Sequence, residues 1–156
     1  DSFFSTSDGR MITVRVCEAD FDVGAETERL IKDGVGGIAT FLGVVRGAGG
    51  LVSLTLEHYP AMTERALQLL AEQAAKRWGL AGVTLIHRTG TMFPGERIVF
   101  VGTTSAHRAA ALESCAYLID RLKTDAPFWK REAFADGRAS WVEPREIDAP
   151  ASARWC

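Results

Sequence analysis

The apolar positions of this chain recur with two periods, and the switches between them mark out its elements. Residues 11–18, MITVRVCE, set Ile12, Val14 and Val16 against Thr13, Arg15 and Cys17, the alternation of a half-buried strand. Asp22 is placed to cap a short helix, with Val23, Leu30 and Ile31 as its buried residues and Gly34 just past its end. Residues 38–46, IATFLGVVR, are nearly all apolar, which predicts a central strand. That strand ends on Arg46 and the glycine loop 47–50. LVSLTLEH (51–58) alternates again and is expected to pair with it as a long hairpin. In 63–78, Ala66, Leu67, Leu70, Ala74 and Trp78 share one helical face, with Thr63 as the expected N-cap. Strands follow at 82–90 and 97–105, joined through the turn pair Pro94-Gly95. A third helix, 106–123, has Leu112, Cys115, Ala116, Ile119 and Leu122 as its buried stripe. A short strand at 140–143 precedes a polar tail. The several hairpins in this order predict an α+β fold with a mixed or largely antiparallel sheet.

Length changes the picture little: 156 residues fit one domain, 1–156, with 1–9 and 149–156 as loose ends. A net charge of −2 disfavours a nucleic-acid binder that works through a basic face. Cys17, Cys115 and Cys156 have no metal-ligand or redox-pair spacing, so reduced thiols and a cytoplasmic setting are expected. No apolar run is long enough to span a bilayer, and no export signal is evident. His58 and His87 lie in strands without companion ligands, and neither a metal nor another cofactor is expected. No P-loop, GxGxxG or nucleophile elbow is present.

The densest chemistry lies in 120–132, DRLKTDAPFWKRE. Pro127 ends the preceding helix near Ala126, and a rigid aromatic turn should then carry Lys123 and Lys130 at its two ends. A lysine whose stem is held by apolar neighbours loses hydration and becomes a candidate base or nucleophile. The plainer reading makes both ordinary helix-end cations. Three further basic positions stand out: Arg46 at a strand end, His107-Arg108 in the first turn of the third helix, and Arg145 in the tail. Together they suit a phosphate. His107 and Lys123 are sixteen positions apart on one predicted helix, roughly 24 Å at helical rise. They cannot share a small-ligand pocket within one straight helix, so a pocket shared between two subunits is the better reading.

TFLGVVR (40–46), LTLEHYPAMTERAL (54–67), VTLIHRTG (83–90), PGERIVFVGTTSAHR (94–108), LKTDAPFWKRE (122–132) and WVEPRE (141–146) occur in this order. From about Val14 to the C-terminus the chain resembles the large, catalytic subunit of molybdopterin synthase. The resemblance implies an α/β hammerhead with an additional antiparallel β subdomain. It also implies a sulfurtransferase of molybdenum cofactor biosynthesis, which converts cyclic pyranopterin monophosphate into the dithiolene of molybdopterin. The sulfur would come from the C-terminal thiocarboxylate of a small ubiquitin-like subunit, in a heterotetramer built around a homodimer of large subunits. Lys123 and Lys130 would be the catalytic lysines, with Arg131 and Glu132 beside the second. Val44, Val45 and Arg46 would line the pocket. His107 and Arg108 would come from the other subunit to hold the phosphate, with Arg145 helping from across the dimer. The loop after Arg46 is shorter than the family's usual polar loop and lacks its Asn. A non-catalytic dimer that grips a ubiquitin-like tail or a phosphorylated pterin is the alternative.

Overall fold

The computed structural model describes residues 2–7, 10–142 and 155. Its strands are β1 (Ser2–Ser7), β2 (Arg10–Cys17), β3 (Gly37–Val44), β4 (Leu51–His58), β5 (Gly82–Arg88), β6 (Gly90–Met92), β7 (Arg97–Ser105), β8 (Phe128–Phe134) and β9 (Ala139–Val142). Its helices are α1 (Val23–Glu28), α2 (Pro60–Trp78) and α3 (Arg108–Asp125). The strands form two sheets, a five-stranded one in the order β1-β2-β5-β7-β3 and a four-stranded one in the order β6-β4-β8-β9. β2 and β5 run parallel and every other pair is antiparallel. The expected α+β class with a second antiparallel β unit is what the chain adopts. Among the described residues, no helix is long and apolar enough to cross a membrane.

The larger sheet is covered on both faces. Ile12, Val14, Val16, Val83, Leu85 and Val101 point to the side of α2 and α3, where they pack on Leu67, Leu70, Ala74 and Leu118. Ile86 and Phe100, one step out of phase, face the other way and pack with Phe21 and Leu30. Strand alternation over two covered faces explains why β5 reads as a continuous buried run rather than an alternating one. Asp22 caps α1 as expected, its carboxylate accepting the Ala25 N–H at 3.0 Å. α2 ends on Gly79 in the left-handed region (φ 61°), and the Leu80 N–H returns to the Ala75 carbonyl at 3.0 Å, a glycine-dependent stop.

Several sequence expectations are corrected. The lead-in contains β1, which pairs with β2 from Ser2↔Arg15 to Ser7↔Arg10. The apolar segment at 38–46 forms an edge strand, β3, with Phe41, Leu42 and Val44 exposed. It pairs with β7 and not with β4, which belongs to the second sheet between β6 and β8. α2 begins at Pro60, whose fixed φ suits a first helical position. Thr63 is therefore inside the helix and fully buried rather than capping it. Ile31 and Leu112, expected in the core, are 58% and 61% exposed. Lys130 belongs to strand β8 and not to a turn. Cys115 does lie in the core, and burial pushes its thiol up to about 11.

Candidate active site

Where the two sheets meet, a cavity of about 440 Å³ opens beside the last turn of α3. α3 contributes Ile119, Leu122 and Lys123, with Ala126 just past its end, positions spaced so that they share one helical face. The edge strand β3 contributes Phe41 through Val44, which accounts for its apolar character in spite of its place in the sheet. β4 adds Leu54 and Leu56, β7 adds Val99 and Val101, and β8 adds Phe128, Trp129 and Lys130. The walls are thus largely hydrocarbon. Among the described lining residues the ionisable side chains are Lys123, Lys130 and His87.

A single turn brings the two lysines together. α3 ends at Asp125, Ala126 is extended (φ −78°, ψ 122°), and Pro127 prevents the helix from continuing. The Phe128 N–H donates to the Ala126 carbonyl at 2.8 Å, closing a three-residue turn. From inside α2, the Thr63 hydroxyl donates a long 3.5 Å hydrogen bond to the Pro127 carbonyl. The chain then enters β8, where Lys130 pairs with Leu56 of β4 and Glu132 with Leu54. Lys130 and Glu132 share one side of the strand, because side chains two apart do. Leu54 and Leu56 are buried there, in a small core with Val45 and Met92.

The remaining candidates divide. Val44 lines the cavity, whereas Val45 is turned into that small core and is only 4% exposed. Val45 is held by the turn before β7: its N–H donates to the Glu96 carbonyl and its own carbonyl accepts from Gly95, both at 2.9 Å. Arg46 follows as an exposed residue and is not among the lining residues. Arg131 is exposed and is not a lining residue. His107 is the N-cap of α3 without a side-chain capping bond, and Arg108 opens the helix. Both are exposed at the end opposite Lys123 and lie away from the cavity of their own chain. Their placement depends on glycine, because a Cβ on Gly36 would stand 2.2 Å from the Ala106 carbonyl oxygen. Arg145 lies outside the described residues.

One lining residue escaped the sequence reading. His87 follows Val83 and Leu85 on the inward side of β5, at the point where the buried run gives way to the cavity. Its ring stacks on Phe128 (centroids 4.1 Å apart, planes 25° apart), and its Nδ1 lies 2.9 Å from the Arg88 carbonyl. Burial pushes its pKa down to about 4, assisted by the charges of His58 and Lys123, while the bond to Arg88 opposes the shift. The imidazole is therefore neutral at physiological pH. The signal was its phase, two positions beyond Leu85 in a strand buried on both faces.

Two lysines from different elements, in an apolar recess beside a neutral histidine and with no cysteine among the described lining residues, give this α+β protein a pocket whose basic groups suit an anionic ligand. The MoaE protein family matches residues 16–125, and the chain belongs to that family. It is 51% identical over 146 residues to the molybdopterin synthase catalytic subunit of Yersinia pestis, covering 91% of this chain and 96% of the relative. With that of Escherichia coli it shares 50% identity over 139 residues, 86% of this chain and 92% of the relative. Among solved structures, the molybdopterin biosynthesis MoaE protein from Burkholderia ambifaria superposes with a TM-score of 0.79 at 42% identity, covering 91% of this chain and 96% of that one.

Proposed function

We propose that this chain transfers sulfur from the C-terminal thiocarboxylate of a small ubiquitin-like subunit to cyclic pyranopterin monophosphate, building the dithiolene of molybdopterin. The observation that carries the reading is the cavity in which Lys123 and Lys130 converge with no thiol among the described lining residues. Cys115 is buried in the core, and Cys17 is bonded at 3.5 Å to the Ala19 carbonyl in another part of the sheet. With neither of the described thiols at the cavity, the sulfur is brought in by a partner. A slender Gly-Gly terminus is the kind of segment that can enter a recess walled by Phe41, Leu42 and Trp129.

Each lysine has work in this reaction. Thiocarboxylate and substrate phosphate are both anionic, and the two lysines that line the cavity offset the repulsion between them. One ammonium stabilises the charge that grows on the carbonyl oxygen as the carbon–sulfur bond to the small subunit breaks. The other lysine moves a proton as sulfur adds to the pterin carbon. Water then adds to the acyl carbon of the resulting thioester, so the small subunit leaves as its carboxylate and the sulfur stays on the pterin. Arg46, and Glu132 on the same side of β8 as Lys130, help to bind the substrate. Arg131 adds positive charge outside the cavity, and Arg145 helps from across the dimer. His107 and Arg108 reach the phosphate of the pocket in a second subunit, within a homodimer flanked by two small subunits. The reaction takes place in the cytoplasm.

Incubating the chain with thiocarboxylated small subunit and cyclic pyranopterin monophosphate tests the reading. Dithiolene product, detected as its fluorescent oxidised derivative, is expected. Product no higher than in a reaction lacking the chain would overturn it.

A further inference from the structure

A lysine ammonium can donate hydrogen bonds but cannot accept them. His87 can. Its tautomer is set from below: Nδ1–H donates to the Arg88 carbonyl at 2.9 Å. The Arg88 side chain is itself held: its guanidinium donates to the Glu18 carbonyl through Nε at 3.0 Å and through Nη2 at 2.9 Å. Nη1 reaches the Arg97 carbonyl at 2.9 Å and the Glu96 carboxylate at 3.2 Å. The stack on Phe128 at 4.1 Å fixes the plane of the imidazole. Nε2 is then left as a lone-pair acceptor that makes no hydrogen bond among the described residues. It belongs to a residue that lines the cavity together with Lys123 and Lys130.

We infer that His87 is a substrate-binding residue whose Nε2 accepts an N–H of the bound pterin, orienting the flat heterocycle between the two lysines. The inference rests on the proposed sulfur-transfer reading and adds the polar contact that the rest of the cavity lacks. A pterin carries ring and exocyclic N–H donors, and a hydrocarbon wall would leave them unpaired at a cost. Neither lysine can satisfy them. The low basicity of His87, set first by burial and then by the charges of His58 and Lys123 against the opposing bond to the Arg88 carbonyl, keeps the acceptor available, and no carboxylate is found among the described lining residues to draw a second proton onto the ring. Nε2 therefore remains an acceptor throughout the physiological range.

The test compares His87→Phe, which keeps a ring to stack on Phe128, with His87→Gln, which keeps an acceptor. Each is assayed with thiocarboxylated small subunit across a range of cyclic pyranopterin monophosphate concentrations. His87→Phe should raise KM for the pterin roughly tenfold, the worth of one hydrogen bond, with kcat within about threefold. His87→Gln should recover most of the KM. An unchanged KM in His87→Phe, or equal KM increases in both variants, would overturn the inference. A wild-type chain without product would instead overturn the sulfur-transfer reading, so the two failures are distinct. A measurement on the wild-type chain covers the case in which a variant does not fold. With ¹⁵N-histidine labelling, adding cyclic pyranopterin monophosphate should move the His87 Nε2 resonance upfield, as for an acceptor gaining a donor, and leave Nδ1 in place. An Nε2 resonance that stays fixed at saturating pterin would overturn the inference.

Discussion

Chains that are individually inactive should rescue one another. The perturbation is an equal mixture of Lys123→Ala and Arg108→Ala chains under conditions that exchange subunits. α3 runs unbroken from Arg108 to Asp125, so His107 and Lys123, sixteen positions apart, are separated by roughly 24 Å along the axis. A sphere of the cavity's 440 Å³ is only about 9 Å across. No small phosphorylated ligand can bridge that distance within one chain. If His107 and Arg108 serve the neighbour's cavity, each mixed dimer has one pocket lacking both groups and one with both intact. Random pairing makes about half the dimers mixed, so activity should return to roughly a quarter of wild type by two-fold symmetry. The assay is dithiolene formation with saturating small subunit, with exchange followed by native mass spectrometry. Activity that stays at the level of the parent mutants while exchange is complete would refute the shared pocket, because a pocket built within one chain always carries a lesion.

Two further outcomes are expected. Lys123→Ala and Lys130→Ala should each lower turnover by at least about a hundredfold, while the stability of Lys123→Ala, read by denaturant unfolding, stays within about 0.5 kcal/mol because the side chain is exposed; near wild-type turnover in both would remove the lysines from the chemistry. Stability should also fall as pH drops from about 6.5 to about 4, because the folded chain holds His87 neutral while the unfolded chain takes up the proton; the loss is up to about 3 kcal/mol, and its absence from His87→Phe in paired urea titrations would assign it.

How much of this was readable beforehand depends on how local each signal is. The α2 stripe, the Asp22 cap and the stop at Pro127 are written in neighbouring residues, and the structure has all three. Lys123 and Lys130 were legible for the same reason, since one short turn joins them. Strand partners were not. β3 is uniformly apolar, and composition alone does not separate a strand covered by two neighbours from an edge strand whose Phe41 and Val44 line a cavity. β4 alternates as a hairpin partner would, but it pairs with β8, more than seventy residues further along the chain. β1, rich in Ser and Thr, reads as a loop until β2 supplies a pairing edge. His87 was passed over because strand histidines were weighed as metal ligands, and its neutral acceptor role depends on Arg88, Phe128 and the cavity together. No metal-binding group of His, Cys, Asp and Glu is formed among the described residues.

The central claim is that sulfur passes directly from the partner's thiocarboxylate to the pterin. The most direct measurement is a single turnover with ³⁵S-labelled thiocarboxylate on the small subunit, using a chain in which Cys17, Cys115 and Cys156 are all replaced by Ala. Because Cys115 is buried with its thiol pushed up to about 11, some stability is lost, but the cavity keeps its lining. The label should reach the dithiolene at close to the wild-type rate, with none retained on the chain. A folded cysteine-free chain that leaves the label on the small subunit, while wild type transfers it, would contradict the account.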